Sequence, residues 1–317
     1  MSGASPSPAL APFTNVAIIG LGLLGGSIGL AVCDYLPGTF TTGYDTDPAS
    51  RARATERSLV NKVCTSAAEA VAEADLVIFC VPVGVIGSAA AEIAQALPAH
   101  ALISDVGSSK EGIARALAET LPHHQIIPAH PVAGTEDSGP DAGFASLFRN
   151  RWCILTPPAS VDKLLLTRLV QFWEELGANV EIMDAAHHDL VLAVTSHLPH
   201  LIAYTIVGTA SDLETVTRSE VIKYSAGGFR DFTRIAASDP TMWRDVFLAN
   251  KDAVLEMLQR FSEDLTALQR AIRVGDGDAL FDHFTRTRAV RRSIIAEGQD
   301  DARPDFGRSD HRGSDTV

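Results

Sequence analysis

One short stretch near the start of the chain limits the fold more than any other feature. In "NVAIIGLGLLGGSIGLAV" an apolar run is followed by Gly20, Gly22 and Gly25 and then by a helical pattern. Gly20 permits a tight turn, Gly22 allows a pyrophosphate to approach the backbone, and Gly25 allows the helix to pack closely on the strand. The phosphate charge then lies at the N–H groups that begin the helix. This arrangement predicts a dinucleotide site at the start of an α/β sheet.

The residue that ends the next strand-like run indicates which dinucleotide binds. Asp45 ends "FTTGYD", where a carboxylate would accept hydrogen bonds from the adenosine ribose and repel a 2′-phosphate. Arg51 and Arg53 follow, and a nearby arginine is what NADP binding uses. On balance we predict NAD, with NADP less favoured. The predicted cofactor-binding residues are Gly20, Gly22, Leu23, Leu24, Gly25, Asp45, Val81 and Pro82.

Strand-like and helical runs alternate as far as residue 183. The further strand-like runs are "ADLVIFCVPV", "ALISDVGSSK", "HQIIPAH", "RWCILTP" and "ANVEIM". This alternation predicts a Rossmann-type, doubly wound and mainly parallel sheet covered by helices on both faces. Ligands of such sheets bind outside the carboxyl ends of the strands. Ser108 and His130 each follow a strand-like run, so both are expected to face the nicotinamide.

The pattern changes at Asp184, after which long helical runs continue without strand alternation. We predict a flexible leader over 1–12, an NAD-binding domain over 13–183, an all-helical substrate and dimerisation domain over 184–297, and a disordered polar tail over 298–317. The apolar content of the helical domain exceeds what one thin layer could bury, which favours a homodimer. A monomer whose helices pack on each other is the alternative.

Composition excludes several classes of protein. With 317 residues, 46% hydrophobic and 21% charged, the chain is typical of a globular protein. Its net charge of -13 argues against nucleic acids and anionic membranes as partners. No run of about 18 apolar residues is evident, so no membrane span is expected. The four cysteines are widely separated and suggest buried thiols in a reducing cytoplasm. A small molecule is the expected partner.

Five motifs then identify a resemblance that covers residues 14–297. They are "GLGLLGGSIGLA", "DVGSSK", "HPVAGTEDSG", "SHLPHLIAY" and "GGFRDFTRIAASDPTMWRD", in this order. Together they closely resemble the prephenate/arogenate dehydrogenase family of tyrosine biosynthesis. The resemblance implies an NAD-dependent oxidative decarboxylation, in which hydride leaves the ring carbinol carbon and carbon dioxide leaves as the ring becomes aromatic. Such a site needs an acceptor for the ring hydroxyl and cations for two carboxylates.

The resemblance assigns the catalytic roles to two residues. His130 in "AHPVAG" matches the family histidine that hydrogen-bonds the ring hydroxyl, although a histidine beside a strand end can also be structural. Ser108 in "DVGS" matches the serine that bonds the same hydroxyl or orients the histidine. Ser108 could also cap the helix that follows. The neighbouring Ser109 leaves the register open by one residue, and Ser108 is preferred.

The substrate-binding residues also follow from the resemblance. His200 in "SHLPH" matches a histidine that contacts substrate, while His197 is expected to be structural and Pro199 to distort the helix. Two histidines three residues apart could chelate a metal, but no acid completes a site, so we expect none. Arg234 matches the arginine that pairs with a substrate carboxylate through its planar fork. The other predicted substrate-binding residues are Thr135, Glu136, Asp231 and Trp243.

Several of these residues also have an interpretation that involves no contact with the substrate. Glu136 either gates the mouth of the site or is a solvated loop acid. Asp231 is expected to orient its neighbours, and Trp243 is either pocket wall or core. Arg230 is interpreted as a surface ion-pair partner.

Three alternatives to a prephenate dehydrogenase remain at this point. Arogenate carries an amino group where prephenate carries a keto group, and His200 is expected to suit the uncharged keto form better. A non-catalytic NAD-binding regulatory protein is the second alternative, and a reductase of similar build, such as a pyrroline carboxylate reductase, is the third. His130, Ser108, His200 and Arg234 are all present, which argues against the non-catalytic protein. The motif "SHLPH" argues against the reductase.

Overall fold

The computed structural model describes residues 11–135, 137–212 and 227–296. The strands are β1 (Asn15–Ile19), β2 (Phe40–Tyr44), β3 (Lys62–Val63), β4 (Leu76–Phe79), β5 (Leu102–Asp105), β6 (Gln125–Ile126), β7 (Ala129–Pro131), β8 (Trp152–Leu155) and β9 (Asn179–Ile182). The helices are α1 (Leu23–Tyr35), α2 (Pro48–Glu56), α3 (Ala67–Val71), α4 (Ile86–Ile93), α5 (Glu111–Thr120), α6 (Lys163–Glu175), α7 (Ala185–Leu192), α8 (Leu198–Asp212), α9 (Gly227–Thr233), α10 (Pro240–Ala249), α11 (Lys251–Val274) and α12 (Gly277–Ala296).

Six strands form a parallel sheet in the order β3-β2-β1-β4-β5-β6. Along β1, Val16 and Ile18 face one apolar cluster, while Ala17 and Ile19 face the other. This period of two shows that both faces of the sheet are covered. The strand order reverses between β1 and β4, which is where open α/β sheets bind their ligands. The predicted doubly wound parallel fold is confirmed.

The segment "HQIIPAH" departs from the prediction of a single strand. It divides into β6, which ends the parallel sheet, and β7, which pairs antiparallel with β8 in a second sheet that β9 completes. The interruption lies at Pro128, which has no N–H and restricts the residue before it. His130 therefore lies in the middle of β7, opposite Ile154, rather than at the end of a strand of the main sheet.

The described residues after β9 are helical and contain no strand, as predicted. Contacts between residues group the chain up to Leu255 into one compact unit, and a second unit begins at Glu256 with the rest of α11 and α12. The predicted boundary at residues 183 and 184 stays a prediction. Residues 1–10 of the predicted leader and the whole predicted tail lie outside the described residues.

Helices α7 and α8 are joined by a single π-helical turn over Ala193–His197. Pro199 lies in the first turn of α8 and has no N–H to donate to the preceding turn. A π turn is an interruption of the normal helical hydrogen-bond ladder, and such turns occur at functional sites. The predicted distortion near Pro199 is confirmed.

The stretch Ala185–Asp212 contains an 18-residue window with a mean hydropathy of 1.6, so by length and composition alone it could cross a membrane. The stretch is interrupted by histidines, hydroxyl residues and a proline, and the expectation that no segment spans a membrane stays a prediction. Three polar side chains of this stretch, His188, Asp189 and His197, are buried and bond within the fold. These bonds offset the cost of burying the three polar side chains, and the Nε2 of His197 bonds no described residue.

All four cysteines are free thiols, as the sequence suggested. Cys64 and Cys153 are buried and Cys80 is partly buried. Cys33 is exposed, so the expectation of buried thiols is wrong for this residue.

Two helical glycines make a matched test of the packing. A Cβ on Gly29 in α1 would lie 2.1 Å from the carbonyl oxygen of Leu59, whereas a Cβ on Gly87 in α4 would lie 3.6 Å from the Cβ of Ala116. We expect Gly29→Ala to lower the free energy of unfolding by about 1–3 kcal/mol through overpacking. Gly87→Ala should leave it unchanged or raise it by about 0.5–1 kcal/mol. Urea unfolding of both variants checks this, and equal effects would contradict the described packing of α1.

Candidate active site

The glycine turn after β1 has the geometry that a dinucleotide requires. Gly20 has a φ of +100°, and a Cβ there would lie 2.4 Å from the carbonyl oxygen of Cys80. A Cβ on Gly25 would lie 1.9 Å from the carbonyl oxygen of Gly20, so the helix can approach the strand only without a side chain. A Cβ on Gly22 would meet nothing within 4 Å, which leaves its backbone open to a phosphate.

The start of α1 lies directly beyond this turn and carries no side-chain cap. Its first two residues, Leu23 and Leu24, are partly buried. The backbone N–H groups of a helix start attract negative charge, so this end of α1 suits a pyrophosphate. Val81 and Pro82 follow β4 on the other side of the turn, and a methyl of Val81 would lie 2.9 Å from a Cβ on Gly20. The predicted cofactor-binding residues of β1, α1 and β4 therefore lie together.

Asp45 lies at the carboxyl end of β2, beside the glycine turn. Its Oδ2 accepts from the N–H of Leu21 at 2.9 Å and its Oδ1 accepts from the N–H of Asp47 at 2.9 Å. These two bonds hold the carboxylate at the position where it can also accept from ribose hydroxyls.

Arg51 and Arg53, the two arginines that could favour NADP, are both bonded to neighbouring groups of the protein. The Nη1 of Arg51 donates to the carbonyl oxygens of Asp45 and Thr46 at 2.6 and 3.1 Å. Arg53 pairs with Glu56 at 2.9 Å and with Asp141 at 2.6 Å. An arginine held by its own neighbours is less available to a 2′-phosphate, so this geometry favours NAD.

His130 is buried and belongs to a chain of hydrogen bonds. Its Nδ1 lies 2.9 Å from the Nε2 of His188, and the Nδ1 of His188 lies 2.8 Å from the Oδ1 of Asp189. Burial lowers the pKa of His130 well below its usual value, and the nearby His188, Lys110 and His197 lower it further. The ring is therefore uncharged at neutral pH.

Asp189 holds this chain in place. Its two carboxylate oxygens accept from the backbone N–H groups of Lys110 at 2.7 Å and of Glu111 at 3.0 Å, where α5 begins. The side chain of Asn250 donates to the carbonyl oxygen of Asp189 at 2.8 Å and lies 3.1 Å from the Nδ1 of His197. A side chain from α7 thus caps α5, so the expectation that Ser108 caps this helix is wrong.

A buried ion pair supports the same region from the other side. The Nζ of Lys110 lies 2.5 Å from the Oδ2 of Asp105 and donates to the carbonyl oxygen of Ala129 at 2.7 Å. The N–H of Ala129 donates to the other oxygen of Asp105 at 3.2 Å. Burial raises the pKa of Asp105 and lowers that of Lys110, and the charge of each partner opposes the effect on the other. The pair fixes β7, and with it His130, against the end of β5.

His200, Trp243 and Arg234 form the second part of the site. The ring of His200 stacks on Trp243 with centroids 3.6 Å apart, and its Nδ1 donates to the carbonyl oxygen of Ser196 at 2.8 Å. Burial lowers the pKa of His200, and the charge of Arg234 lowers it further. Trp243 is buried, with exposure of 7%, and its ring covers one face of the His200 ring.

Two further contacts bring these parts to the same end of the sheet. The carboxylate of Asp245 in α10 lies 3.0 Å from where a Cβ on Gly84 would be, so the helix of Trp243 rests on the turn that follows Pro82. The loop after β7 returns to α1, where the N–H of Phe144 donates to the hydroxyl of Ser27 at 3.0 Å. The helix of Trp243 and the loop after β7 thus both contact segments that carry predicted cofactor-binding residues.

The remaining predicted residues differ in how far the structure supports them. Ser108 is partly buried and its backbone lies beside the ring of His197, whereas the hydroxyl of Ser109 is fully buried and bonds no described residue. Thr135 is partly buried, and its hydroxyl accepts from the N–H of Asp137 at 3.2 Å. Asp231 is exposed on α9. Glu136 lies outside the described residues.

His188 and Asp189 are the residues that sequence reasoning missed. The segment "AAHHDLVLAV" carries no predicted role in catalysis or binding. The available signal was a histidine and an aspartate near the start of an apolar helix, since polar residues on a face that must be buried need partners there. Which partner each would find depends on α5 and β7, which are distant in the sequence.

The chain matches two adjoining family descriptions. Residues 28–182 match "Prephenate dehydrogenase, nucleotide-binding domain", and residues 184–286 match "Prephenate dehydrogenase, dimerization domain". Together these matches cover most of the chain.

Individual relatives agree with this assignment. The cyclohexadienyl dehydrogenase of Zymomonas mobilis is 45% identical over 89% of this chain and 96% of its own length. The crystal structure of prephenate dehydrogenase from A. aeolicus, in complex with hydroxyphenyl propionate and NAD+, is 33% identical with a TM-score of 0.83, over 89% of this chain and 98% of that one. The crystal structure of Synechocystis arogenate dehydrogenase is 25% identical with a TM-score of 0.76, over 89% of this chain and 100% of that one.

The role of Asp45 can be tested by removing its charge. Asp45→Asn retains an oxygen that can accept from Leu21 but no longer repels a 2′-phosphate, so the preference for NAD over NADP in kcat/KM should fall about tenfold or more. Arg53→Ala is the matched control, because Arg53 pairs with Glu56 and Asp141. If the preference for NAD over NADP were unchanged in Asp45→Asn but changed in Arg53→Ala, Arg53 rather than Asp45 would determine the cofactor.

Proposed function

The chain belongs to the prephenate dehydrogenase family, and we propose that it catalyses the NAD-dependent oxidative decarboxylation of prephenate to 4-hydroxyphenylpyruvate in tyrosine biosynthesis. One observation carries the proposal: His130 is buried and uncharged, and its Nδ1 is engaged by His188, which leaves Nε2 to accept a proton. The predicted family and the prediction of NAD are confirmed. The protein is an oxidoreductase.

The residues around the glycine turn fit the cofactor. The open backbone at Gly22 and the uncapped start of α1 would receive the pyrophosphate, and Asp45 would receive the ribose hydroxyls. Bound NAD supplies the acceptor for the hydride that leaves the carbinol carbon.

His130 accepts the proton of the ring hydroxyl and later returns it. Its Nε2 takes the hydroxyl proton while the carbinol carbon loses hydride, which leaves a carbonyl conjugated with the ring. The bond between the ring and its carboxylate then breaks, carbon dioxide leaves, and the electron pair restores aromaticity. The phenolic oxygen recovers its proton from His130, so the histidine ends each turnover uncharged.

The carboxylates of the substrate need cations and hydrogen-bond donors. Arg234 stands close enough to His200 for its charge to lower the pKa of that ring, so a carboxylate paired with Arg234 would lie beside His200. The planar guanidinium can hold a carboxylate through two parallel N–H bonds. The backbone of Ser108 lies near His197, and we expect its hydroxyl to bond the ring hydroxyl of the substrate.

One observation favours arogenate as a second substrate. Because the Nδ1 of His200 donates to the carbonyl oxygen of Ser196, the Nε2 of this uncharged ring is an acceptor. An ammonium group can donate to that nitrogen and a keto oxygen cannot. The observed tautomer of His200 therefore does not favour the keto form, and we propose that the site accepts both cyclohexadienyl substrates. A relative named cyclohexadienyl dehydrogenase, 45% identical, supports this breadth.

Assembly and location complete the proposal. The matched C-terminal description is that of a dimerization domain, and large apolar side chains are exposed on α11 and α12, among them Leu265, Ile272, Phe281 and Phe284. An exposed apolar surface of this kind is typical of an interface. We therefore propose a homodimer through these helices, located in the cytoplasm, where free thiols persist.

The function is tested by following reduced-cofactor formation at 340 nm with prephenate and with arogenate, each against NAD and NADP. We expect turnover of prephenate with NAD, and slower turnover with NADP. Turnover of arogenate with NAD would support the second substrate. If none of the four pairs is turned over by folded protein that still binds NAD, the proposal is overturned in favour of a non-catalytic NAD-binding protein.

Two variants separate catalysis from binding. His130→Asn removes the proton acceptor, so kcat should fall by about 10²- to 10⁴-fold with a much smaller change in KM. Arg234→Ala removes a charge-assisted bond to a carboxylate, so KM should rise by about 10- to 100-fold. An unchanged KM in Arg234→Ala would remove Arg234 from the substrate site.

A further inference from the structure

Two buried residues that do not reach the substrate control the base of the proposed reaction. We propose that His188 and Asp189 are positioning residues that fix the tautomer of His130, so that its unprotonated Nε2 faces the substrate hydroxyl. This inference rests on the proposed function, because it concerns how the ring of His130 is prepared for that reaction. The geometry that carries it is the hydrogen-bond chain from Asp189 through His188 to His130.

The chain begins at a carboxylate that cannot turn freely. Asp189 is 3% exposed, and both of its oxygens accept from backbone N–H groups at the start of α5, those of Lys110 and Glu111. Its Oδ1 also faces the Nδ1 of His188 at 2.8 Å. A carboxylate is an acceptor only, so this Nδ1 must carry a proton.

The direction of the next bond follows from the charge of His188. Burial lowers the pKa of His188, and although Asp189 opposes this effect the net shift is downward. A neutral imidazole with its proton on Nδ1 has a lone pair on Nε2. The Nδ1 of His130, 2.9 Å away, must therefore be the donor, which leaves the lone pair of His130 on Nε2. If His188 instead donated to the Nδ1 of His130, the proton of the neutral His130 ring would lie on Nε2, and that nitrogen could not accept the hydroxyl proton.

The same chain suits the transition state. When the Nε2 of His130 takes the hydroxyl proton, the ring gains a positive charge and its Nδ1–H becomes a stronger donor to His188. The charged groups that face these two rings are Asp189 and the pair of Lys110 and Asp105, whereas burial lowers the pKa of the neighbouring His197 to about 4 and leaves that ring uncharged. Lys110 disfavours the protonated form of both rings, whereas Asp189 favours the protonated form of His188 and supplies a compensating negative charge at the end of the hydrogen-bond chain.

A purely structural role for His188 is the competing explanation, since its ring also packs against that of His130 with centroids 5.1 Å apart. Two substitutions separate the explanations. His188→Phe retains a planar ring but has no acceptor, whereas His188→Gln loses the ring but has an amide oxygen that can accept from the Nδ1 of His130. If the His188 ring only packs against His130, His188→Phe should be the more active variant. If His188 acts as the acceptor that positions His130, His188→Gln should be the more active variant.

The experiment measures kcat and KM for prephenate with NAD in full-length His188→Phe, His188→Gln and the wild type. The exposed His187 supplies the matched control, His187→Gln, which should behave as wild type. We expect kcat to fall at least about tenfold in His188→Phe, with KM changed less than about threefold, and to be partly restored in His188→Gln. Equal kcat in His188→Phe and wild type, or a better enzyme with Phe than with Gln, would overturn the inference.

A second measurement keeps the inference separate from the proposed function. The ¹⁵N chemical shifts of the His130 ring report which nitrogen carries the proton, without any turnover. We expect Nδ1–H in the wild type at pH 7 and a mixture of tautomers in Asp189→Asn. An Nε2–H ring in the wild type would overturn the inference even if the enzyme is active. A wild type that is inert with every substrate but shows Nδ1–H would refute the function alone.

Discussion

The architecture of the site depends on one buried carboxylate. A charged group that is removed from water is stable only where hydrogen bonds replace its hydration. Asp189 meets this requirement with two N–H groups of α5 and the ring of His188, so it joins the helix that follows β9 to the helix that follows β5. Helix α7 cannot shift relative to α5 without breaking these bonds. The position of His130 between them is fixed by the same constraint, and a base that must meet a hydroxyl within hydrogen-bond distance needs that degree of order.

The parallel sheet provides the other half of the arrangement. Its strand order reverses between β1 and β4, and the glycine turn lies at this point with Asp45 beside it. The buried pair of Lys110 and Asp105 connects β5 to β7, which belongs to the second sheet. A buried ion pair adds little net stability, because desolvation offsets the attraction, but separating the partners would leave an uncompensated buried charge. Here it holds the strand of His130 in register with the nucleotide-binding end of the main sheet.

Local pattern was sufficient to predict the elements and insufficient to predict their partners. The period of two in β1 and the spacing of the glycines are local, so the doubly wound sheet and the nucleotide turn could be read from the sequence. Pro128 was visible in "IIPAH", but the pairing of β7 with β8 depends on residues that follow about 20 positions later. The tautomer of His200 depends on the carbonyl of Ser196, which the π turn brings to its ring. His188 and Asp189 gain their roles only when three distant segments meet, and no pattern within one segment records that.

The central claim is that His130 presents an unprotonated Nε2 to the hydroxyl of the ring that is oxidised. A crystal structure of the protein with NAD and 4-hydroxyphenylpyruvate tests this most directly. The account predicts that the Nε2 of His130 lies about 2.6–3.2 Å from the phenolic oxygen, with the nicotinamide ring on the face of the substrate that lost hydride and Nδ1 still bonded to His188. A phenolic oxygen bound elsewhere, or a His130 ring turned so that its Nδ1 meets the ligand, would contradict it.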